Sequence, residues 1–168
     1  MFSLKIQFFN MPPELPDPGK DITSPSSGKR RAAVSAIGNL KDQSSLGYLH
    51  TALSDAHPNV RREAAVALGK RKQTESVPCL VSALMDESSE VRQAVLQALI
   101  RIRDPSSLEP ALPLLTDPDF RVRIGALRLL GITGSSETIP RISAMLTDPV
   151  SEVRDEAGQA LVRLQKKP

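Results

Sequence analysis

The dipeptide Val-Arg recurs at a fixed spacing of 31 residues, as Val60-Arg61, Val91-Arg92, Val122-Arg123 and Val153-Arg154. An Asp precedes each Arg by six positions: Asp55, Asp86, Asp117 and Asp148. A chain that repeats itself at a period of roughly 20–50 residues folds as an array of like units, each packed on its neighbours. This excludes an architecture built around a single centre and frames everything else in the chain.

The same shift of 31 aligns Ala33, Ala64, Val95, Ala126 and Ala157. It also aligns Ala36, Ala67, Ala98, Leu129 and Ala160, and then Ile37, Leu68, Leu99, Leu130 and Leu161. Offsets of three and four put these residues on one face of a helix, here termed A. Pro58 is expected at a first helical position, with Ser88 and Asp119 as N-caps. Gly38, Gly69 and Gly131 are expected to turn the chain near the helix ends. A second helix, B, follows in each unit. Ser45, Ser76, Ser107 and Thr138 are its expected N-caps, and Leu53, Leu84, Leu115 and Leu146 complete its apolar face. Pro110 and Pro113 should shift the first turns of the third B helix. The expected fold is all-α: four A–B hairpins and a lone A helix over 154–165, about four and a half repeats. Glu156, Gln159 and Arg163 would form the polar outer face of that last helix.

Residues 1–23 read as an extended N-terminal arm and Pro-rich linker, and 24–168 as the repeat domain. Phe2, Leu4, Ile6 and Phe8 alternate with Ser3, Lys5 and Gln7, the period of a short strand. The first ten residues lack the unbroken apolar run of a signal peptide, and no stretch approaches the length of a membrane span. With one cysteine, Cys79, no disulfide can form within the chain and no thiolate metal cluster is available. That suits a reducing, cytoplasmic setting.

The runs Val60–Leu68 and Val153–Leu161 share the pattern Val-Arg-x-x-Ala-x-x-Ala-Leu. With paired helices of this length and an Asp six residues before each Arg, the chain resembles HEAT-like repeats of the phycobilisome-lyase type over roughly 24–168. The resemblance implies a right-handed, armadillo-like α-solenoid. The family includes phycobilin lyase subunits, phycobilisome-degradation factors, di-iron hydroxylases that modify lysine, and adaptors. The resemblance further implies a ladder of ion pairs linking successive repeats. It would pair Asp55 with Arg61, Asp86 with Arg92, Asp117 with Arg123 and Asp148 with Arg154. The planar fork of Arg suits a carboxylate. Ser24 stands where a first Asp is expected although Arg30 is in place, so the N-terminal rung is expected to be missing and the arm to cover that end.

Four Asp–Arg sets at a strict period read as a structural ladder and not as catalytic carboxylates. The hydroxylases of the family hold iron with His-Glu dipeptides; this chain has only His50 and His57 and no such dipeptide, so no metal or cofactor is expected. Cys79 falls off the apolar face of helix B and reads as a half-buried thiol. The net charge is +3, but helix B carries only Glu109 and Arg141, while cations gather on helix A and the turn after it. By the resemblance, B helices line the concave face. Tyr48, Val81, Met85 and Leu112 would then make a neutral, partly apolar groove suited to a protein partner and poorly suited to phosphate. The plainer reading is that Val81, Met85 and Leu112 complete the packing between B helices. The function expected is a non-enzymatic protein–protein interaction scaffold. The alternatives are a phycobilin lyase-type factor acting on phycobiliproteins and a nucleic-acid-binding module. The second is disfavoured by only four Phe, one Tyr and no Trp.

Overall fold

A computed structural model describes residues 21–40 and 45–166. These form nine α-helices and no strand: α1 (Ser27–Gly38), α2 (Leu46–Ala52), α3 (Pro58–Arg71), α4 (Val77–Ser82), α5 (Ser89–Ile102), α6 (Leu108–Ala111), α7 (Phe120–Thr133), α8 (Ile139–Ala144) and α9 (Ser151–Gln165). The odd-numbered helices are the A helices and the even-numbered ones the B helices, in four hairpins followed by α9. The strand expected in the first ten residues lies outside the described residues. Among the described residues, no helix is long and apolar enough to cross a membrane.

The A helices start as their sequences dictate. Pro58 occupies the first turn of α3, and the ring of His57 accepts the backbone N–H of Asn59 at 3.3 Å. Asp119 caps α7 by accepting the Arg121 N–H at 2.9 Å. Ser88 precedes α5 in extended conformation, but its hydroxyl makes no cap bond. Ile37, Leu68, Leu99 and Leu130 are fully buried.

Gly38, Gly69 and Gly131 do not turn the chain. No described glycine has a positive φ; Lys72 (φ 55°) and Arg103 (φ 62°) take the left-handed positions instead. Gly38, Gly69 and Gly131 lie within the A helices, where small residues meet. A Cβ on Gly69 would stand 2.7 Å from Cα of Ala98, and one on Gly131 2.8 Å from Cα of Ala160. Glycine against alanine lets the A helices approach closely at three of the four seams, while between α5 and α7 Ile100 takes the glycine position and Gly125 faces Leu96; α1, α3, α5, α7 and α9 stack as one continuous layer. The B helices pack mainly on the A helix that follows each of them and scarcely on one another. Tighter spacing in the A layer curves the array toward it. The A helices therefore line the inner side, and the expectation that B helices line the concave face is corrected.

The B helices are short. Each of the last three continues into a tight 3-10 turn: Ala83–Met85, Leu112–Thr116 and Met145–Thr147. The third keeps only four α-helical residues, Leu108–Ala111, with Pro110 inside them and Pro113 in the turn that follows, the shift that these prolines lead one to expect. Ser76, Ser107 and Thr138 do not cap these helices. The backbone is already helical at each of them, so no free N–H faces the hydroxyl. Ser107 and Thr138 instead donate back to the carbonyls of Asp104 (2.6 Å) and Ser135 (2.7 Å). Ser45 accepts from Arg71 and likewise makes no cap bond. Leu53, Leu84 and Leu115 are buried, but Leu146 is 44% exposed because no further B helix lies beside it among the described residues.

Candidate functional site

Four arginines, one per A helix from α1 to α7, tie each repeat to the next. Arg30, Arg61, Arg92 and Arg123 present Nε and Nη2 as a fork to the carboxylates of Asp55, Asp86, Asp117 and Asp148. The Nε–Oδ2 distances are 2.7, 2.6, 2.8 and 2.9 Å. The Nη2–Oδ1 distances are 2.8, 2.9, 2.8 and 2.9 Å. The remaining nitrogen, Nη1, donates to the carbonyl of the residue six positions earlier: Ser24, Asp55, Asp86 and Asp117. Each Asp also accepts the backbone N–H two residues on, from His57, Ser88, Asp119 or Val150.

The predicted ladder residues are thus brought together in a different register. The pairs Asp55–Arg61, Asp86–Arg92, Asp117–Arg123 and Asp148–Arg154 do not form. Six residues of turn and helix place each Arg at the carbonyl of its own Asp, leaving the fork aimed at the next repeat. The N-terminal rung is present, because Ser24 need supply only a carbonyl there. At α9, Arg154 bonds the carbonyls of Asp148 (2.7 Å) and Pro149 (3.1 Å) and meets no carboxylate among the described residues.

Hydrogen bonding by Arg30 holds the Asp55 carboxyl below its ordinary range, against the opposing effect of burial. For Asp148, burial pushes the value up, and hydrogen bonds from Arg123 and the Val150 N–H more than offset it. Carboxylates engaged by two guanidinium nitrogens and a backbone N–H are poorly placed for proton transfer.

Of the proposed partner-binding residues, Tyr48 is 43% and Met85 61% exposed, whereas Val81 and Leu112 are half-buried against the core. All four belong to the B layer. The A layer holds a concavity of its own. A groove of about 440 Å³ between α5 and α7 is lined by Gln93, Gln97, Ile100, Arg101, Arg121, Ile124, Gly125 and Arg128. Gln93 and Gln97 also line its continuation toward α3, with Arg62, Val66 and Glu90. Gly125 keeps the floor low, since a Cβ there would sit 3.0 Å from Leu96 Cδ1. Arg121 lies 5.5 Å from the ring centre of Phe120, within cation–π range. Arg128 donates through Nε to Glu156 at 2.7 Å. Glu156 does not face outward as expected. Its side chain is 5% exposed and is bonded also by Arg163 at 2.8 Å, because it packs in the seam between α7 and α9. Sequence reasoning passed over these groove residues because it followed the apolar face. Their signal is periodic too: Arg62, Gln93 and Ile124 share one repeat position, and Val66, Gln97 and Arg128 another.

His50 Nε2 lies 3.1 Å from Ser76 Oγ, and burial, then the charge of Arg71, keeps the ring below the usual histidine range. Cys79 is half-buried against the core. Among the described residues, no three His, Cys, Asp or Glu side chains are grouped as a metal would require.

The profile of HEAT repeats matches residues 20–100 and 77–162. The chain belongs to the HEAT-repeat family. Solved HEAT-like and armadillo arrays superpose on it. A chain of the complex of CpcE and CpcF of phycocyanin lyase from a Nostoc species matches with a TM-score of 0.79 and 26% identity, over 100% of this chain and 71% of that one. The Escherichia coli protein YibA matches with a TM-score of 0.73 and 25% identity, over 86% and 57%. A designed armadillo repeat protein solved with the peptide (KR)4 matches with a TM-score of 0.67 and 21% identity, over 89% and 81%, a likeness of fold alone. No curated protein matches this HEAT-repeat chain.

Proposed function

We propose that this HEAT-repeat chain is a non-catalytic scaffold that binds a protein segment in the inner groove of its A helices. The observation that carries the reading is the groove shared by α3, α5 and α7. Its floor of Val66, Ile100 and Ile124 is ringed by exposed polar side chains, on a layer held in register by four bidentate rungs. Rigid, concave surfaces with an apolar centre and a polar rim suit the recognition of a partner segment at low ordering cost. The exposed B-layer residues Tyr48 and Met85, with the half-buried Val81 and Leu112, are the competing surface. A photo-crosslinking amino acid in place of Gln97 should capture a protein from source lysate, and one in place of Met85 should not. The reading fails if capture occurs at Met85 alone.

A second reading rests on the likeness to the phycocyanin lyase chain: a phycobilin lyase-type factor acting on phycobiliproteins. It predicts a visible absorption change when the purified protein is mixed with a bilin. An unchanged spectrum counts against it.

A further inference from the structure

We infer that the groove between α5 and α7 takes an extended acidic peptide segment, with carboxylates on Arg101 and Arg121; this rests on the groove reading above and adds the chemistry of the partner. Three guanidinium groups line this groove and no carboxylate does. Every ladder arginine from Arg30 to Arg123 already has its fork on an aspartate, whereas Arg101 and Arg121 are exposed and form no ion pair among the described residues. Arg128 stands beside them with one edge on Glu156. An exposed guanidinium with an open fork is the complement of a carboxylate, and Asp119 at the start of α7 is already engaged by Gln93 at 3.4 Å and by the Arg121 N–H at 2.9 Å.

The other lining groups say how that carboxylate is carried. Gln93 and Gln97 are four residues apart on α5; the Gln97 amide offers both a donor and an acceptor, as a peptide backbone does, and Gln93, which donates to Asp119 at 3.4 Å, offers its carbonyl. Ile100 and Ile124 offer apolar contact between the cations. An extended chain alternates its side chains between two faces, so acidic and aliphatic residues in alternation match this layout. Nucleic acid would answer the charge as well, but the lining has no aromatic side chain on which a base could stack. Glu90 lines the neighbouring stretch of the groove, which also disfavours a continuous phosphate backbone.

The test is fluorescence anisotropy of the full chain with a labelled acidic peptide, about ten residues long, alternating Glu with Leu or Ser. The controls are the same peptide with Gln for every Glu and a labelled single-stranded DNA. The acidic peptide should bind, weaken with added salt, and bind about tenfold or more tightly than the Gln control, the factor set by about 1.4 kcal/mol. Arg101→Glu combined with Arg121→Glu should lose at least that factor with an unchanged circular dichroism spectrum, while Met85→Glu binds as the parent does. If the double charge reversal unfolds the chain, Arg101→Gln with Arg121→Gln gives the same comparison. Equal binding of the Gln peptide, full binding by the arginine variants, or tighter binding of the DNA each overturns the inference. Capture of a protein at Gln97 without any binding of the acidic peptide overturns the acidic chemistry and leaves the groove reading standing. Failure of both removes both.

Discussion

Arg92 makes four bonds that no other side chain could replace together: two to the Asp117 carboxylate and two to the carbonyls of Asp86 and Glu87. Arg92→Ala would strand a carboxylate whose side chain is 5% exposed, at a cost of about 3–5 kcal/mol. Arg128→Ala removes a cation that is 54% exposed and leaves Glu156 its bond from Arg163, so the loss should be about 1 kcal/mol or less. Urea midpoints decide between them, and equal midpoints would deny the ladder a part in stability. The carboxyls of Asp55 and Asp148 are held low in the folded chain, so the unfolded chain binds their protons more readily. Their contribution is complete above the unfolded value of about 3.9 and is lost as pH falls through the lower folded values. The thermal midpoint of Asp148→Asn should therefore lie well below that of the parent at neutral pH, and the gap should narrow below about pH 4. Parallel curves would contradict this. Seven of the eight ladder residues are legible from the repeat and the resemblance; the eighth, Arg30, is set aside there because Ser24 stands where an Asp is expected, and Arg154 is counted in its place. Their pairing is not legible, because a spacing of six within a repeat and of 25 between repeats are equally regular in sequence; only the direction of the Arg side chain from its helix selects the second.

Between elements, closeness is set by the smallest side chains. Gly69→Ala would press a methyl group into the backbone of Ala98 and push α3 from α5, costing about 1–3 kcal/mol. Gly158 lies within α9 with nothing within 4 Å of a Cβ placed there. Gly158→Ala should therefore stabilise the chain by about 0.5–1 kcal/mol through helix propensity alone. Opposite shifts in melting temperature are expected, and a stabilising Gly69→Ala would mean that the A layer is looser than described. The sequence marks Gly38, Gly69 and Gly131 as special without saying why. Glycine at a helix end and glycine at a helix crossing look alike until the neighbouring helix is in place. The hydroxyls of Ser107 and Thr138 illustrate the same limit: their position at the start of helix B suggested caps, and the preceding 3-10 turn, which already occupies the helix N–H groups, redirects them.

At the scale of the whole molecule, stability in an array is approximately a sum of repeat terms and nearest-neighbour interfaces. The period made the array legible; the side toward which it curves was not, since curvature depends on unequal spacing between layers that no single repeat encodes. Leu99 is fully buried in α5, with a helix of the A layer on each side, and Leu161 is half-buried in α9. Leu99→Ala should cost about 2–5 kcal/mol and Leu161→Ala less. The rung between Arg61 and Asp86 offers a sharper test of the additive picture. Arg61 lies in α3, and its fork holds the Asp86 turn that leads into α5. Removing it weakens one interface and leaves the rungs Arg92–Asp117 and Arg123–Asp148 intact. In Arg61→Ala, amide hydrogen exchange followed peptide by peptide should quicken over α1–α3, which then rely on one weakened interface. Exchange over α7–α9 should stay close to that of the parent, since those helices keep every neighbour they had. A uniform acceleration from α1 to α9 would show that the array opens as one cooperative unit and that the ladder couples all of it together.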